Sequence, residues 1–386
     1  MENISFLLGA GFSVNQGYPV ASKLNMQIVE LKISDFGIAD CGTVFDIING
    51  NDYTLNYSHI RLFLLEFIEF YNSKYAPFNY EEFYDYYKRL QKEDIDDGSD
   101  GLIQNYIGES KEVDKHNLIM RTNSIFNQII QRLISDGNVT RFYINNAHTA
   151  RGIVNGYRGF MSIIDSFKKV SEINIHTLNH DLFLESLNSS EEFDGQMCNG
   201  FTEMGSSYYG ESEFGNVRLE YFSDEYETAF RLFKLHGSFD QMPFILKGTL
   251  DNYIKFKYGI NTVTLKKEIE DKGRYKYELD ITNYSSDFLS GTTSKILRYN
   301  EDGYYRSMFD HYGENLTNCD KLIIIGYGCL DSGINKIIGE KLRAGTPIYV
   351  VDPYPSNNVK EFVAKKGATL VEKTPENITL EDFDEK

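Results

Sequence analysis

The chain begins with an apolar, strand-like run, Ile4 to Leu8, that breaks directly into Gly9-Ala10-Gly11-Phe12-Ser13. A strand followed at once by glycines is typical of the first turn of a nucleotide-binding α/β fold, because residues without a Cβ let the backbone approach a pyrophosphate. Ser13 is expected to cap a following helix whose amide groups and dipole favour an anion. The pattern predicts a nucleotide-phosphate site here, with Gly17-Tyr18-Pro19 closing the segment.

The glycines of this turn do not specify a dinucleotide site by themselves. The third glycine of the dinucleotide fingerprint would fall at position 14, which is Val14, and no acidic residue follows at the end of an obvious second strand. The rest of the site must therefore come from later segments of the chain.

Two later segments are strand-like runs that end in polar residues. The first is Ile173 to Leu178, which leads into Asn179-His180-Asp181 before a helix-like stretch. The second is Phe233 to Leu235, which leads into His236-Gly237-Ser238. These two segments supply the polar partners of the first glycine turn.

A third segment repeats the glycine turn near the end of the chain. Leu322 to Ile325 lead into Gly326-Tyr327-Gly328, and Asp331 or Ser332 is expected to cap the helix that follows. A further strand then ends in Asp352. The segment offers a second close approach of the backbone to a nucleotide.

The ordered set of these segments carries a family resemblance. The strand with GAGxS and GxP, the Thr-x-Asn-x-Asp strand end, the His-Gly segment and the late Gly-x-Gly resemble the sirtuin-like family, in particular the bacterial sirtuin-like NAD hydrolases of antiphage defence. The matching segments are short, but their order spans residues 4 to 352. The resemblance implies an α/β fold with a Rossmann-like parallel sheet, in which residues 1–375 form one NAD-binding and hydrolase domain.

The resemblance also implies roles in cleaving the bond between nicotinamide and ribose. Asn179 would hydrogen-bond the ribose or the attacking water, and Asp181 would bind the nicotinamide amide group. His236 would be the general base, which suits an imidazole because its unperturbed pKa is near neutral. Asp352 would accept a hydrogen bond from the adenosine ribose. The predicted nucleotide contacts are Gly9, Ala10, Gly11, Phe12, Ser13, Pro19, Asp181, Gly326, Gly328 and Asp352.

Each polar residue of this set also has an ordinary structural explanation. Asn179 and Asp181 lie where a strand turns into a helix, a place that favours Asx residues as caps whatever the function. His236 is one of seven histidines and, without its context, fits a core or surface position. The late glycines fit any strand-to-helix turn, and Asp352 fits a generic strand exit.

Composition limits the classes of function. The 386 residues include 57 acidic and 39 basic residues, and the net charge of −18 argues against direct binding of nucleic acid. No apolar run approaches the ~20 residues of a membrane span, and no N-terminal signal is evident, so a cytoplasmic protein is expected. The four cysteines include no Cys-x-x-Cys pair, which fits a reducing compartment and excludes a zinc ribbon, so no zinc or other metal is expected.

Periodicity indicates how the domain is organised. Residues about 53 to 165 have helical spacing and predict a helical insertion, with helices over Tyr57–Phe70, from Asn79 onward and over Ile119–Ile134. Residues about 244 to 300 alternate β-formers around a turn at Lys272-Gly273-Arg274 and predict a small β-hairpin appendage. The acidic residues 376–386 are expected to form a solvated tail.

Departures from the deacylating sirtuins decide which reaction is expected. Those enzymes continue Gly-x-Pro with an acid, an aromatic residue and an arginine, whereas Pro19 here precedes Val20-Ala21-Ser22. Their zinc ribbon beyond the His-Gly segment is also missing, since no cysteine lies between Cys198 and Cys319. Water is therefore the expected acceptor, and the products are nicotinamide and ADP-ribose. A protein deacylase or ADP-ribosyltransferase, and a non-catalytic sensor of NAD or ADP-ribose, remain as alternatives.

Control of such an activity is expected, because loss of NAD stops growth. Members of the family are commonly fused to, or encoded beside, a sensor or an ATPase. The resemblance therefore implies an NAD-depleting effector of bacterial antiphage defence that acts by abortive infection. A homo-oligomer controlled by a separate protein encoded nearby, such as a HerA-like hexameric ATPase, is expected.

Overall fold

The computed structural model describes residues 2–40, 42–47, 50–90, 95–109, 114–134, 156–169, 171–255, 261–279, 288–289, 294–301 and 303–384. Residues 135–155 of the predicted insertion, 256–260 and 280–287 of the predicted β appendage and 385–386 of the predicted tail lie outside the described residues. The chain divides into two compact units. They are Met1–Gly17 with Thr140–Leu289 and Leu297–Lys386, and Tyr18–Val139 with Ser290–Ile296.

Strands and helices are numbered in chain order over the described residues. The strands are β1 Glu2–Leu8, β2 Phe36–Ile38, β3 Val44–Asp46, β4 Ser171–Thr177, β5 Met197–Cys198, β6 Phe201–Thr202, β7 Tyr208–Ser212, β8 Gly215–Arg218, β9 Glu220–Phe222, β10 Phe230–Lys234, β11 Gln241–Leu246, β12 Thr249–Lys255, β13 Asn261–Asp271, β14 Arg274–Leu279, β15 Lys321–Ile325, β16 Ile348–Val351 and β17 Thr369–Val371. The helices are α1 Ala10–Ser13, α2 Ala21–Val29, α3 Ser58–Lys74, α4 Tyr80–Leu90, α5 Ser99–Glu109, α6 Lys115–Ile134, α7 Arg158–Phe167, α8 Phe183–Leu187, α9 Ser294–Arg298, α10 Tyr304–Asn318, α11 Ser332–Lys341 and α12 Asn357–Lys366. Short 3-10 helices cover Val14–Gln16 and Leu380–Phe383.

The first unit is built on a parallel sheet. Among the described residues it has seven strands in the order β17-β16-β15-β1-β4-β10-β5, and every neighbouring pair is parallel. The central strands are buried almost throughout, as in Ile4–Leu8 and Ile348–Val351. Continuous apolar runs of this kind are typical of parallel strands that are covered on both faces. The predicted Rossmann-like parallel sheet is confirmed.

Side-chain caps mark the start of the two helices that follow β15 and β16. Asp331 caps α11, because its Oδ1 accepts hydrogen bonds from the amides of Gly333 and Ile334 at 2.9 and 3.0 Å. Ser356 caps α12 through the amide of Val359 at 3.4 Å. The turn that follows β15 therefore ends at Asp331, as one of the two sequence alternatives predicted.

The antiparallel part of the first unit is larger than the predicted hairpin. Over the described residues it consists of two sheets, β11-β12-β9-β6 and β14-β13-β7-β8. The β13–β14 hairpin turns at Lys272 and Gly273, where the sequence predicts a turn. Strands β6 to β9 were not predicted because each is short, and their shared core, including Tyr208, Leu219 and Phe244, forms only when separate strands meet.

The second unit, taken by itself, is mainly helical. The predicted helices are present as α3, α4 and α6, with a small β2–β3 hairpin in addition. Their aromatic positions are core positions: Phe83 packs against Phe67 and Phe126, with ring centroids 5.7 and 5.0 Å apart. These aromatic stripes stabilise the unit by burial, as periodicity at helical spacing predicts.

The acidic C-terminal segment is packed, and the prediction of a solvated tail is wrong for residues 376–384. Ile378 and Phe383 are buried, and Thr379 and Asp382 form a capping box for the last 3-10 helix. Lys321 in β15 donates a hydrogen bond to the Phe383 carbonyl oxygen at 2.6 Å. The prediction relied on charge, whereas apolar side chains and main-chain bonds anchor the segment.

Candidate functional site

Most predicted site residues gather at one edge of the parallel sheet. In an open α/β sheet, ligands bind outside the carboxyl ends of the strands, where the strand order reverses. Here β4 and β10 extend the sheet on one side of β1, and β15 and β16 extend it on the other, so the order reverses beside β1. The residues follow adjacent strand ends: Gly9 to Ser13 after β1, Asn179 and Asp181 after β4, His236 after β10, Gly326 and Gly328 after β15, and Asp352 after β16.

Pro19 is the exception, because it belongs to the second unit. It precedes Val20, the N-cap residue of α2, where the fixed φ of proline is well tolerated. Its contribution to the site stays a prediction.

The two glycine turns pack directly against each other. The Gly9 amide donates to the Ile325 carbonyl oxygen at 3.0 Å, and the Gly11 amide donates to that of Gly326 at 2.9 Å. A Cβ at Gly326 would lie 2.3 Å from the Phe12 nitrogen, and its φ of 64° is in the left-handed region. Only glycine permits this approach without strain, so the packing of β1 beside β15 accounts for these glycines.

The first turn differs from the predicted phosphate-binding helix terminus. The helix α1 has only 4 residues, begins after Gly9 and gives way to the 3-10 helix Val14–Gln16. Ser13 is the last residue of α1 and lies at the N-cap position of that 3-10 helix, but its side chain makes no cap hydrogen bond, so the predicted capping role is wrong. The Phe12 amide donates to the Gly9 carbonyl oxygen at 2.9 Å. Three amides of the turn, those of Gly9, Gly11 and Phe12, are therefore already committed to main-chain oxygens.

Phe12 anchors this turn in the core. Its ring is fully buried and packs against Tyr157, Phe160 and Phe183, with ring centroids 5.1, 4.9 and 5.7 Å away. The Tyr157 hydroxyl donates to the Phe12 carbonyl oxygen. The exposed residues of the turn are Ala10 and Gly11, which are the ones a ligand can reach.

Asn179 is held in a single orientation. Its side-chain Nδ2 donates to the Gly9 carbonyl oxygen and to Ser13 Oγ, each at 3.0 Å. A carbonyl oxygen only accepts hydrogen bonds, so the amide nitrogen must face Gly9 and the assignment of the amide follows. No hydrogen bond from the described part of the chain reaches Oδ1 of Asn179. This oxygen is therefore left to accept a hydrogen bond from a ligand.

Asp181 belongs to the same network but also serves the following helix. Its Oδ1 accepts a hydrogen bond from the Phe183 amide at 3.0 Å, which fits the alternative interpretation as a capping residue. Burial raises the pKa of Asp181, although the Lys234 ammonium and hydrogen bonds from Phe183 and Ser13 oppose the shift. Ser13 thus connects Asn179 to Asp181. A buried carboxyl group with a displaced pKa is a candidate functional group.

His236 lies close to two buried polar side chains. Its Nε2 is 3.4 Å from the Tyr299 hydroxyl oxygen and 3.7 Å from Asp331 Oδ2. The Tyr299 hydroxyl donates to the Asp331 carboxylate at 3.2 and 3.3 Å. The arrangement places an acidic group beyond the imidazole, as in sites where a carboxylate orients a histidine base and stabilises its charged form.

Tyr299 and Asp331 were not predicted as site residues, for different reasons. Asp331 was predicted only as a helix cap, and the structure shows that the same carboxylate both caps α11 and faces His236. Tyr299 directly follows α9 and is one of 28 tyrosines, with no motif around it. Only the fold brings it beside the histidine.

The two glycines of the late turn, Gly326 and Gly328, have different surroundings. A Cβ at Gly328 would meet no atom within 4 Å, so packing does not require glycine there, in contrast to Gly326. Asp352 forms a local turn, in which its Oδ1 accepts from the Tyr354 amide at 2.9 Å. Burial, together with the charge of Asp352, raises the pKa of the Cys329 thiol to about 12. Asp352 therefore lies near the late turn, since it follows β16 and the turn follows the neighbouring strand β15.

Three further features bear on the expectations from composition. Among the described residues, no group of three or more His, Cys, Asp or Glu side chains could hold a metal ion. Cys198, Cys319 and Cys329 are free thiols, while Cys41 lies outside the described residues. No helix in the described part of the chain is long and apolar enough to cross a bilayer.

Comparison with known proteins finds structural similarity only. No protein-family model and no curated protein sequence match the chain. Among solved structures, the chain is similar to a Sir2 homologue in complex with NAD, at 8% identity and a TM-score of 0.34, over 97% of this chain and 84% of that one. It is also similar to a structure on the mechanism and regulation of Sir2 enzymes, at 10% identity and a TM-score of 0.34, over 99% and 92%. At these values the similarity supports no functional argument.

Proposed function

We propose that the chain is an NAD⁺ glycohydrolase that yields nicotinamide and ADP-ribose. One observation carries the proposal: Asn179, in the Thr-x-Asn-x-Asp strand end, is fixed by Gly9 and Ser13 with its Oδ1 left as an acceptor. An asparagine that served only as a cap would use this oxygen to accept a helix amide. A fixed acceptor at the strand ends supports a role in orienting a hydroxyl group or a water molecule.

The proposed reaction requires few catalytic groups. The oxygen of a water molecule forms a bond to C1′ of the ribose while the bond from C1′ to the nicotinamide nitrogen breaks. The nicotinamide ring takes that electron pair and leaves as a neutral molecule, through an oxocarbenium-like transition state. His236 accepts the proton that the water loses. Asn179 orients the water or a ribose hydroxyl by accepting its hydrogen bond.

The remaining residues are proposed to hold the two ends of the substrate. Asp181 accepts a hydrogen bond from the nicotinamide amide group, and Asp352 accepts one from the adenosine ribose. They follow β4 and β16, which lie three places apart in the sheet, about 14 Å at the usual strand spacing of about 4.8 Å. Such a separation suits a dinucleotide laid across the strand ends. The exposed glycine-turn residues Gly11 and Gly328 lie between these ends.

We further propose that the enzyme depletes NAD as a cytoplasmic effector of bacterial antiphage defence. The support is the order of the motifs, which resembles that of defence NAD hydrolases, and the toxicity of unrestrained NAD loss. A homo-oligomer under the control of a separate partner, such as a HerA-like ATPase, is part of this proposal. Co-expression with the neighbouring gene products and size-exclusion chromatography test it, and failure of all of them to co-elute counts against a partner.

Time-resolved chromatography of NAD incubated with the purified protein, alone and with its genomic neighbours, tests the reaction. We expect loss of NAD with matching nicotinamide and ADP-ribose, abolished by Asn179→Ala and by His236→Ala. Nicotinamide release that depends on an added acyl-peptide or protein acceptor would instead indicate a deacylase or an ADP-ribosyltransferase. Binding of NAD or ADP-ribose without turnover would indicate a sensor. Intact NAD and no binding under any condition would refute the proposal.

A further inference from the structure

Two buried lysines of the first unit have no role in the reaction proposed above. Lys234, the last residue of β10, is 4% exposed and pairs with Glu185 Oε1 at 3.2 Å. Lys255, the last residue of β12, is 8% exposed and pairs with Asp240 Oδ2 at 3.1 Å. Lysine is almost never fully buried unless it is paired, because its ammonium group loses strong hydration. Each of these lysines must therefore be held by specific partners.

Lys234 has contacts that tie it to the candidate site. Its Nζ donates to the main-chain carbonyl oxygen of Asp181 as well as pairing with Glu185. Lys234 lies two residues before His236 in the sequence, and Asp181 lies two residues after Asn179. One side chain therefore joins the two strand-end loops that carry the predicted catalytic residues.

The main chain at Lys234 is itself anchored from a helix. The Tyr304 hydroxyl, at the start of α10, donates to the Lys234 carbonyl oxygen at 3.0 Å. This bond fixes the end of β10, so the lysine side chain extends from a rigid position. The fixed main chain at Lys234 makes the contact of its side chain with the Asp181 carbonyl oxygen specific, because little rotamer freedom remains in a buried side chain.

The charge of Lys234 acts on the Asp181 side chain as well. Burial raises the pKa of Asp181, and the Lys234 ammonium is the charge that opposes this shift, helped by hydrogen bonds from the Phe183 amide and from Ser13. Burial also raises the pKa of Glu185, which shares the same ammonium. Both buried carboxyl groups thus depend in part on the Lys234 charge, and its removal leaves both less able to ionise.

The second lysine, Lys255, shares Glu185 with Lys234 but pairs with a different carboxylate. The charge of Lys255 lowers the pKa of Asp240 against the effect of burial, and it also favours ionised Glu185. Among the described residues, no contact joins it to Asp181. Lys255 therefore resembles Lys234 in burial and pairing but differs in the one contact that reaches the site.

We propose that Lys234 is a positioning residue for the loop that carries Asn179 and Asp181. It fixes the loop through the Asp181 carbonyl oxygen and supplies the positive charge that the buried Asp181 side chain needs in order to face the substrate as a carboxylate. The inference rests on the proposed function, because Asp181 is assigned there to the nicotinamide amide group. Lys234 touches no reacting atom.

The variant Lys234→Met tests this role, because methionine keeps most of the length of the side chain and removes the charge. The carboxylate form of Asp181 is lost as the pH falls through its pKa. The acid limb of NAD binding, measured in the His236→Ala background so that protonation of the proposed base does not contribute, therefore reports this group. Loss of a nearby opposite charge raises a carboxyl pKa by about 1–3 units. We expect Lys234→Met to move the acid limb of NAD binding to higher pH by about one unit or more, with binding partly restored at higher pH.

Lys255→Met is the matched control. Lys255 is 8% exposed and lies 3.1 Å from its carboxylate partner, whereas Lys234 is 4% exposed and lies 3.2 Å from its own. Lys255 differs in having no contact with Asp181 among the described residues. We expect both variants to lower the melting temperature and Lys255→Met to leave the acid limb unchanged. An unchanged acid limb in Lys234→Met, or an equal displacement in both variants, overturns the inference.

A second measurement needs no activity and separates this inference from the proposed function. Melting temperatures are compared for Lys234→Met in the wild-type background and in Asp181→Asn, where the carboxylate is already absent. We expect a smaller loss in Asp181→Asn, since the charge that Lys234 serves is gone. Equal losses in both backgrounds overturn the inference. A wild-type protein that neither binds nor cleaves NAD refutes the proposed function instead.

Discussion

The two candidate catalytic side chains are held in contrasting ways. Asn179 makes two hydrogen bonds of 3.0 Å, close to the preferred length for an N–H donor. His236 has contacts of 3.4 and 3.7 Å to Tyr299 and Asp331, which are longer than well-formed hydrogen bonds. The Asn179 side of the site is therefore preorganised, and the His236 side is expected to tighten when substrate binds.

The difference follows from where the partners lie in the fold. Asn179 and its partner Gly9 both follow paired strands, in which Leu8 lies opposite Thr177. Tyr299 and Asp331 lie outside the sheet, after α9 and before α11. Main-chain pairing between strands sets the geometry of the first side, whereas the packing of loops and helices sets that of the second. The predictions below break or sharpen this contrast.

The largest effect is expected at the base. We expect His236→Ala to lower kcat by about 100- to 10,000-fold, because a positioned acid–base group contributes that much to a proton transfer. The measurement is steady-state NAD cleavage. His311→Ala is the control, since that histidine is partly exposed and pairs with Asp224; its activity should stay near wild type. A loss of less than tenfold in His236→Ala would assign the base elsewhere.

The preorganised side is tested by Asn179→Asp, which keeps the shape of the side chain. A carboxylate cannot donate to the Gly9 carbonyl oxygen, so the side chain loses the bond that orients it. We expect kcat to fall by about 100- to 1,000-fold, similar to the loss of one fixed hydrogen-bonding group in other active sites. Ser13→Ala removes the other partner and should cost about tenfold or less. Equal losses of kcat in Asn179→Asp and Ser13→Ala would show that the hydrogen bond to Gly9 contributes no more than the one to Ser13.

The contact between the two glycine turns joins the ends of β1 and β15. It is tested by the free energy of unfolding. A Cβ at Gly326 would meet backbone atoms at 2.3 to 2.8 Å, whereas one at Gly328 would meet nothing within 4 Å. We expect Gly326→Ala to lower the free energy of unfolding by about 3 kcal/mol and Gly328→Ala by about 0.5 kcal/mol. Chemical denaturation measures both. Similar losses would show that the turns do not depend on this contact.

The smallest effect is expected at Tyr299, whose hydroxyl lies 3.4 Å from His236 Nε2. Tyr299→Phe removes the hydroxyl between His236 and Asp331 but keeps the ring, which stacks on Phe309 with centroids 3.7 Å apart. Since a hydrogen bond contributes about 0.5–1.5 kcal/mol, kcat should fall about 3- to 10-fold. KM and the melting temperature should change little, which a purely structural role would not predict. A change confined to the melting temperature would mean that Tyr299 does not position the base.

Sequence patterns were sufficient where local interactions decide the structure. The apolar runs of β1 and β15 predicted strands, and helical periodicity predicted α3 and α6, because backbone hydrogen bonding and side-chain spacing act over a few residues. The same patterns failed at Ser13 and at the C-terminal segment. At both places, packing against distant residues determined the conformation.

The sequence by itself determined the strands and the strand ends that carry Asn179, His236 and Asp352, because apolar runs and the turns that end them are local. Only the tertiary structure decided which atoms of these residues are committed and which are left for a ligand. It also brought Tyr299 to His236 and Lys234 to Asp181. Such contacts join residues far apart in the chain, and burial, charge and hydrogen-bond partners depend on the folded neighbourhood.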